Sequence, residues 1–174
     1  MNNYNFTLVL AALAGLEDGT AIEALGEHGV TDATVSRADG TWTAEFDRQA
    51  GSFPEALTSA VRAVRAAGLV VRRVEPDDLV TMSELADRLE RSIESVRLLT
   101  TGQRGDGSFP APVVRTTSRG HLWSWAQVAR WDRRPTDEVQ RAEWIAGINA
   151  RIQLNLFDSE AEQAMLAKLS EALA

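Results

Sequence analysis

Ten side chains in this sequence share one chemical capability, the donation of hydrogen bonds or positive charge to a polyanion. They are Thr81, Ser92, Ser95, Arg97, Thr100, Thr101, Gln103, Arg104, Arg115 and Arg119. Short hydroxyls bond phosphate oxygens, while Arg and Gln make paired hydrogen bonds to phosphates and base edges. Other chemistries lack their residues. There are two histidines, His28 and His121, and no cysteine, so a metal centre is not expected. His28 falls near a helix end and His121 in a hairpin, and both are expected solvated or packed. No H-E-x-x-H, no G-x-S-x-G and no nucleophile with a neighbouring base occurs. The glycine-rich run Gly102-Gln103-Arg104-Gly105-Asp106-Gly107 lacks the G-K-[ST] ending of a phosphate loop. Neither catalysis nor a cofactor is therefore expected.

Local signals predict how the donors are positioned. Thr81 is an N-cap, and Glu84 completes a T-x-x-E capping box. Leu85, Ala86 and Leu89 then fall on one helical face, with Asp87 and Arg88 toward water. Glu90 and Arg91 make the turn. Ser92 caps a second helix whose predicted buried stripe is Ile93, Val96 and Leu99. The other face carries Glu94, Ser95 and Arg97, followed by Thr100, Thr101, Gln103 and Arg104. Arg97 has Glu94 or Asp87 as alternative ion-pair partners. Two short helices around a tight turn form the helix-turn-helix of DNA-binding proteins.

The segment downstream reads as a hairpin and a third helix. Gly102, Gly105 and Gly107 break the second helix, and Phe109-Pro110-Ala111-Pro112 forces an extended path. Val113 to Thr116 and His121 to Trp123 are expected to pair, with Thr117-Ser118-Arg119-Gly120 at the tip. Arg115 and Arg119 then sit on or near that tip, suited to a phosphate or a minor-groove edge. Ser124 caps a last helix carrying Trp125, Val128 and Trp131. Trp123, Trp125 and Trp131 are expected to close this module's core, and Trp42 to be a strand residue.

The order of these pieces resembles the winged helix-turn-helix of the MerR superfamily, and within it the small AlpA and excisionase-like branch. The matching motifs are T-x-x-E-L-A-x-x-L from Thr81, S-x-x-S-V-R from Ser92, F-P-x-P from Phe109 and L-W-x-W-x-x-V-x-x-W from Leu122. They span about 55 of the 174 residues. The resemblance implies double-stranded DNA binding through the second helix and the wing. Two departures stand out. The turn carries Glu90-Arg91 where a Gly or small residue usually precedes the Ser, and no long coiled coil follows Trp131. The effector-sensing role of MerR regulators therefore does not carry over.

The charge distribution points to the same stretch. The chain carries a net −7. Residues 79–134 hold nine arginines against six acids, whereas 1–78 hold six against twelve and 135–174 three basic groups against seven acidic. Counterion release depends on local phosphate neutralisation rather than on the whole-chain sum. A surplus of three is modest, which predicts weak binding by one copy and a need for a homodimer or neighbouring copies.

Outside this stretch two further segments are expected, giving an α+β fold overall. Residues 1–75 read as a ferredoxin-like βαββαβ domain. A strand through Phe6, Leu8 and Leu10 precedes a helix from Asp18 to His28 with Ile22 and Leu25 inward, stopped by Gly29. Asp39-Gly40 joins strands Thr34–Ser36 and Thr41–Phe46. A helix capped by Ser52 runs to Gly68, and Leu69–Val74 is the last strand. Glu75-Pro76-Asp77-Asp78 marks a boundary to the winged domain, 79–134. Residues 135–174 form a helical tail, opened by Thr136 and later by Asp158 or Ser159. Its apolar stripes are Ile145, Ile148 and Ile152, then Met165, Leu166 and Leu169.

The expected function is sequence-specific DNA binding by a bacterial-type transcriptional regulator, cytoplasmic and at the nucleoid when bound. Two alternatives belong to other classes. One is an excisionase-like recombination or DNA-bending factor. The other is an antitoxin or adaptor whose acidic N-terminal domain binds a partner protein. No stretch approaches the roughly 18 apolar residues of a membrane span, so no membrane role is expected.

Overall fold

The computed structural model describes residues 1–11, 18–115, 120–155 and 160–173, with backbone alone for 18–21 and 160–162. The chain is mixed α+β and divides into two compact units. One comprises Met1–Val74 with Gly147–Ala174, the other Glu75–Ala146. The segment expected as a separate tail from 135 onward is thus shared between the two, with the cut inside one helix.

In the first unit the elements run β1 (Asn2–Leu10), α1 (Asp18–Glu27), β2 (Ala33–Ala38), β3 (Thr41–Ala50), α2 (Phe53–Ala66) and β4 (Val71–Glu75). The strands form one sheet in the order β2-β3-β1-β4. β1 and β3 pair antiparallel in the register Phe6↔Phe46, Leu8↔Ala44 and Leu10↔Trp42. Period-two alternation puts all six on one face, and all six are buried. Phe6 stacks on Phe46 at 5.4 Å between centroids and meets Phe53 of α2 edge-on at 5.8 Å. The amphipathic α2 buries Phe53, Ala56, Leu57, Ala60 and Val64. Asp39 and Gly40 have φ of 51° and 75°, the paired positive values that a tight two-residue hairpin demands.

One helix expectation is corrected here. Leu25 is buried as expected, but Ile22 is 51% exposed. A spacing of three fixes relative direction on a helix but not coverage, and among the described side chains of α1 the covered ones are Leu25 and, in part, Ala24.

A long-range contact finishes the sheet. Strand β4 lies at its edge, where unpaired backbone groups need partners. Asn149 supplies them: its Oδ1 accepts from Val74 N–H at 2.8 Å and its Nδ2 donates to Val74 C=O at 3.0 Å. The side-chain amide thus bonds this residue as a neighbouring strand would.

The second unit holds β5 (Leu79–Val80), α3 (Met82–Arg88), α4 (Ile93–Thr100), β6 (Val114–Arg115), β7 (His121–Ser124), α5 (Trp125–Trp131) and the first half of α6 (Thr136–Leu154). The last element, α7 (Glu160–Leu173), belongs to the first unit. The three strands form a sheet in the order β5-β7-β6. The core gathers Val80, Leu85, Ala86, Leu89, Val96, Trp123, Trp125 and Val128, with Phe109 packed against them. Trp123 and Trp125 are buried and Trp131 half-buried, while Trp42 lies in β3.

Caps define these short helices. Thr81 and Glu84 form the reciprocal capping box, and the hydroxyls of Ser92 and Ser124 accept from Ser95 N–H and Gln127 N–H. The C-termini of α3 and α4 close with the same paired bonds: Glu90 N–H to Asp87 C=O with Arg91 N–H to Ala86 C=O, and Gly102 N–H to Leu99 C=O with Gln103 N–H to Leu98 C=O. That motif needs a positive φ. Gly102 meets it at 70°, whereas Glu90 meets it at 54° against the steric preference of an L-residue.

Candidate nucleic-acid interface

Four residues, Leu89 to Ser92, join α3 to α4, and Leu89 is buried between the helices. The buried side of α4 is Val96 and Leu99. The expected third member, Ile93, is 54% exposed and is corrected. As the first residue after the cap it projects from the end of the helix, beyond the side chains that cover Val96.

The exposed side of α4 carries Glu94 and Arg97. Arg97 forms a two-point ion pair with Glu94, Nη2 to Oε1 at 2.7 Å and Nε to Oε2 at 2.9 Å. The hydrogen bond from Arg97 holds the Glu94 carboxyl below its usual range, and Glu94 raises the guanidinium in turn. Of the two partners open in the sequence, the structure selects Glu94. Arg104 folds back across the helix, and its Nη1 donates to Ser95 Oγ at 3.2 Å. Ser95 and Arg104 are thus neighbours, whereas Arg97, two residues after Ser95, points to another side of α4. Thr101, four residues after Arg97, is exposed beside it. Gln103 is exposed at the end of the helix, and its side chain has no hydrogen-bond partner among the described residues.

Other predicted donors are committed to their own backbone. Thr100 and Thr101 hydroxyls donate to Arg97 C=O at 3.0 and 2.9 Å, a local bond that competes with outside partners. Thr81 Oγ1 donates to Glu84 Oε2 at 2.7 Å. The amide and hydroxyl of Thr81 together hold the Glu84 carboxyl below its usual range. Ser92 Oγ is the acceptor at the start of α4. Thr81 and Ser92 are thus built into helix ends, and their hydroxyls reach outward only by sharing those roles.

The hairpin forms as expected where it is described. Val114 pairs with Leu122 and Arg115 with His121, and Val113 N–H donates to Leu122 C=O at 2.9 Å. Arg115 is exposed on β6, in no ion pair among the described residues. Arg119 and the rest of the predicted tip, apart from Gly120, lie outside the described residues. His121 is exposed on β7, its ring 6.0 Å from that of Trp123.

Two anchors in this unit were not brought out by sequence reasoning. Asp78, read only as part of a boundary, is buried; its Oδ1 accepts from Ala126 N–H and its C=O from Trp125 N–H, both at 2.7 Å. It thereby fixes the junction of β7 and α5 to the start of β5. Ser108 holds the glycine-rich connection: its Oγ accepts from Trp131 Nε1 at 2.9 Å and donates to Asp106 at 2.5 Å. Phe109 packs on Trp131 at 4.8 Å. The only sequence signal for either was the Asp-x-Ser spacing, which is common in turns.

The cation surplus is smaller on the surface than in the sequence. Arg91 and Arg134 both pair with Asp132, Arg97 with Glu94, and Arg130 with Glu143. Arg88 is half-buried over the ring of Trp125, and burial lowers its pKa. Arg104, Arg115 and Arg133 remain outside ion pairs among the described residues. No group of three or more metal-binding side chains occurs among the described residues, and no described helix is long and apolar enough to cross a membrane.

No protein-family model, curated protein or solved structure matches the chain.

Proposed function

We propose that the second unit is a winged helix-turn-helix that binds double-stranded DNA, with α4 in the major groove and the β6–β7 hairpin as the wing. One observation carries this reading. The helix α4, capped by Ser92 and packed through Val96 and Leu99, presents Arg97 outward with Ser95 and Arg104 together on another side, and a hairpin in the same unit presents Arg115. The favoured role is transcriptional regulation. The first unit, with its βαββαβ order and strand order β2-β3-β1-β4, is read as a ferredoxin-like domain for assembly or partner binding.

Three arginines outside ion pairs among the described residues give limited phosphate neutralisation, so the reading carries with it a homodimer placing one winged module on each half-site. The test is affinity selection of fragmented double-stranded DNA by the full chain at low salt. Recovery of a common motif supports the reading, most strongly if the motif is a repeat with half-sites about one helical turn apart. Recovery without sequence preference limits it to non-specific binding, and no recovery overturns it.

A further inference from the structure

Residues 1–78 are acidic on balance, with six arginines against twelve acids, but the charge is unevenly spread over the first unit. An apolar groove of about 410 Å³ lies where α2, the start of β4 and the end of α6 meet. Its lining includes Arg62, Arg65 and Arg151 and, among the described residues, no carboxylate. All three arginines are exposed, and none is in an ion pair among the described residues. Cations gathered without counter-ions repel one another, and an anion between them relieves that repulsion.

The remaining lining is mostly apolar and open to solvent. Val61, Ile148 and Ile152 are half-buried, and Val70 is 44% exposed. A second, more polar cleft adjoins the groove. It shares Arg65, Arg151 and Asn155 with it, adds Gln163 and Ser170 of α7, and again has no acid among its described lining residues. One surface thus runs from an apolar part, past Arg65 and Arg151, to a polar part.

We infer that this surface binds a small amphipathic anion, with an aliphatic chain on Val61, Val70 and Ile152 and a carboxylate or phosphate head held by Arg65 and Arg151. Charge and size select this occupant together. Arginine forks match the paired oxygens of such a head, while the apolar groove takes a chain that an inorganic anion lacks. Small-molecule sites enclose about 300–1,000 Å³ and are mostly apolar with a few polar groups, which describes this groove. A helix from another chain is about 10 Å across, so a single turn of it already fills about 400 Å³. The inference concerns the first unit alone and its readout needs no DNA, so loss of DNA binding leaves it standing.

The test is calorimetric titration of the full chain with decanoate, decyl phosphate and decylamine, each kept below its micelle concentration, and with acetate. At least one of the two long-chain anions is expected to bind with a Kd of about 0.1–1 mM, and the tighter of them identifies the head. Decylamine, with the same chain and the opposite charge, is expected to bind at least tenfold more weakly. Acetate, a head without a chain, is expected not to bind measurably. Arg65→Gln/Arg151→Gln and Val70→Asp, all at exposed positions, are each expected to weaken binding of the anion at least tenfold with an unchanged melting temperature. Three results overturn the inference. They are no binding of either long-chain anion up to about 5 mM, decylamine or acetate binding as tightly as the anion, and an anion affinity unchanged in either folded variant.

Discussion

Arg97 is clamped by Glu94 one turn earlier on α4, through two bonds of 2.7 and 2.9 Å, so on the proposed reading the cation assigned to DNA is already paired in the free protein. Both groups are exposed, so the pair contributes little to stability. Its effect is on availability. Glu94→Gln removes the competing carboxylate and a like charge facing the phosphates. DNA affinity is expected to rise about three- to tenfold, and the slope of log K against log salt to steepen by about 1. An unchanged or weaker affinity in fluorescence anisotropy would show that Arg97 does not face the duplex.

Glu90 sits at a φ of 54° in the turn between the two helices, where the sequence already departs from a Gly or small residue. Relief of that strain by Glu90→Gly outweighs the extra freedom of glycine in the unfolded chain. The variant is expected to gain about 0.5–1 kcal/mol in urea denaturation. A loss of stability would mean that the Glu90 side chain is held by a contact worth more than the strain.

Asp78 is the buried acceptor for Ala126 N–H, and Asp78→Ala leaves that donor without a partner. The expected cost is about 1–3 kcal/mol, read by tryptophan fluorescence because Trp123 and Trp125 lie in the same core. Asp78→Asn, which keeps the acceptor oxygen, is expected to recover much of the loss. Equal loss in both variants would assign the effect to charge.

Asp32 accepts two bonds from Arg48 at 2.7 Å, and these hold its carboxyl below the usual range. A carboxylate with a depressed folded-state pKa adds stability above its unfolded value, near 4, and loses it as pH falls through the folded value. The first unit is therefore expected to weaken below about pH 4, with part of that decline absent in Asp32→Asn. Because Asp32 is partly exposed, solvent screening limits the contribution to about 1 kcal/mol. Identical acid profiles for the two proteins would remove Asp32 from the account.

What the sequence made legible is what acts over three or four residues. The caps at Thr81, Ser92 and Ser124 and the Asp39-Gly40 turn need only neighbours along the chain, and each forms. Patterns of burial were legible in part. Val96 and Leu99 go inward, but Ile22 and Ile93 do not, because spacing gives a direction on a helix and not how far the rest of the fold covers it. Contacts between distant segments were not legible. Asp78 meets Ala126 across 48 positions and Asn149 meets Val74 across 75, and no local pattern marks either partner. For the proposed interface the residue types were read from sequence, whereas the pairing of Arg97 with Glu94 was one of two options and the return of Arg104 to Ser95 had no local signal.

The most direct measurement is a titration of the selected DNA with the native chain and with Arg97→Ala/Arg104→Ala, across a range of salt concentrations. Both arginines are exposed, so the melting temperature of the variant is expected to stay within about 2 °C of the native value. Specific binding is expected to vanish, with the salt slope reduced by about 2. Native-like affinity and slope in a folded variant would contradict the assignment of α4 as the helix that reads DNA.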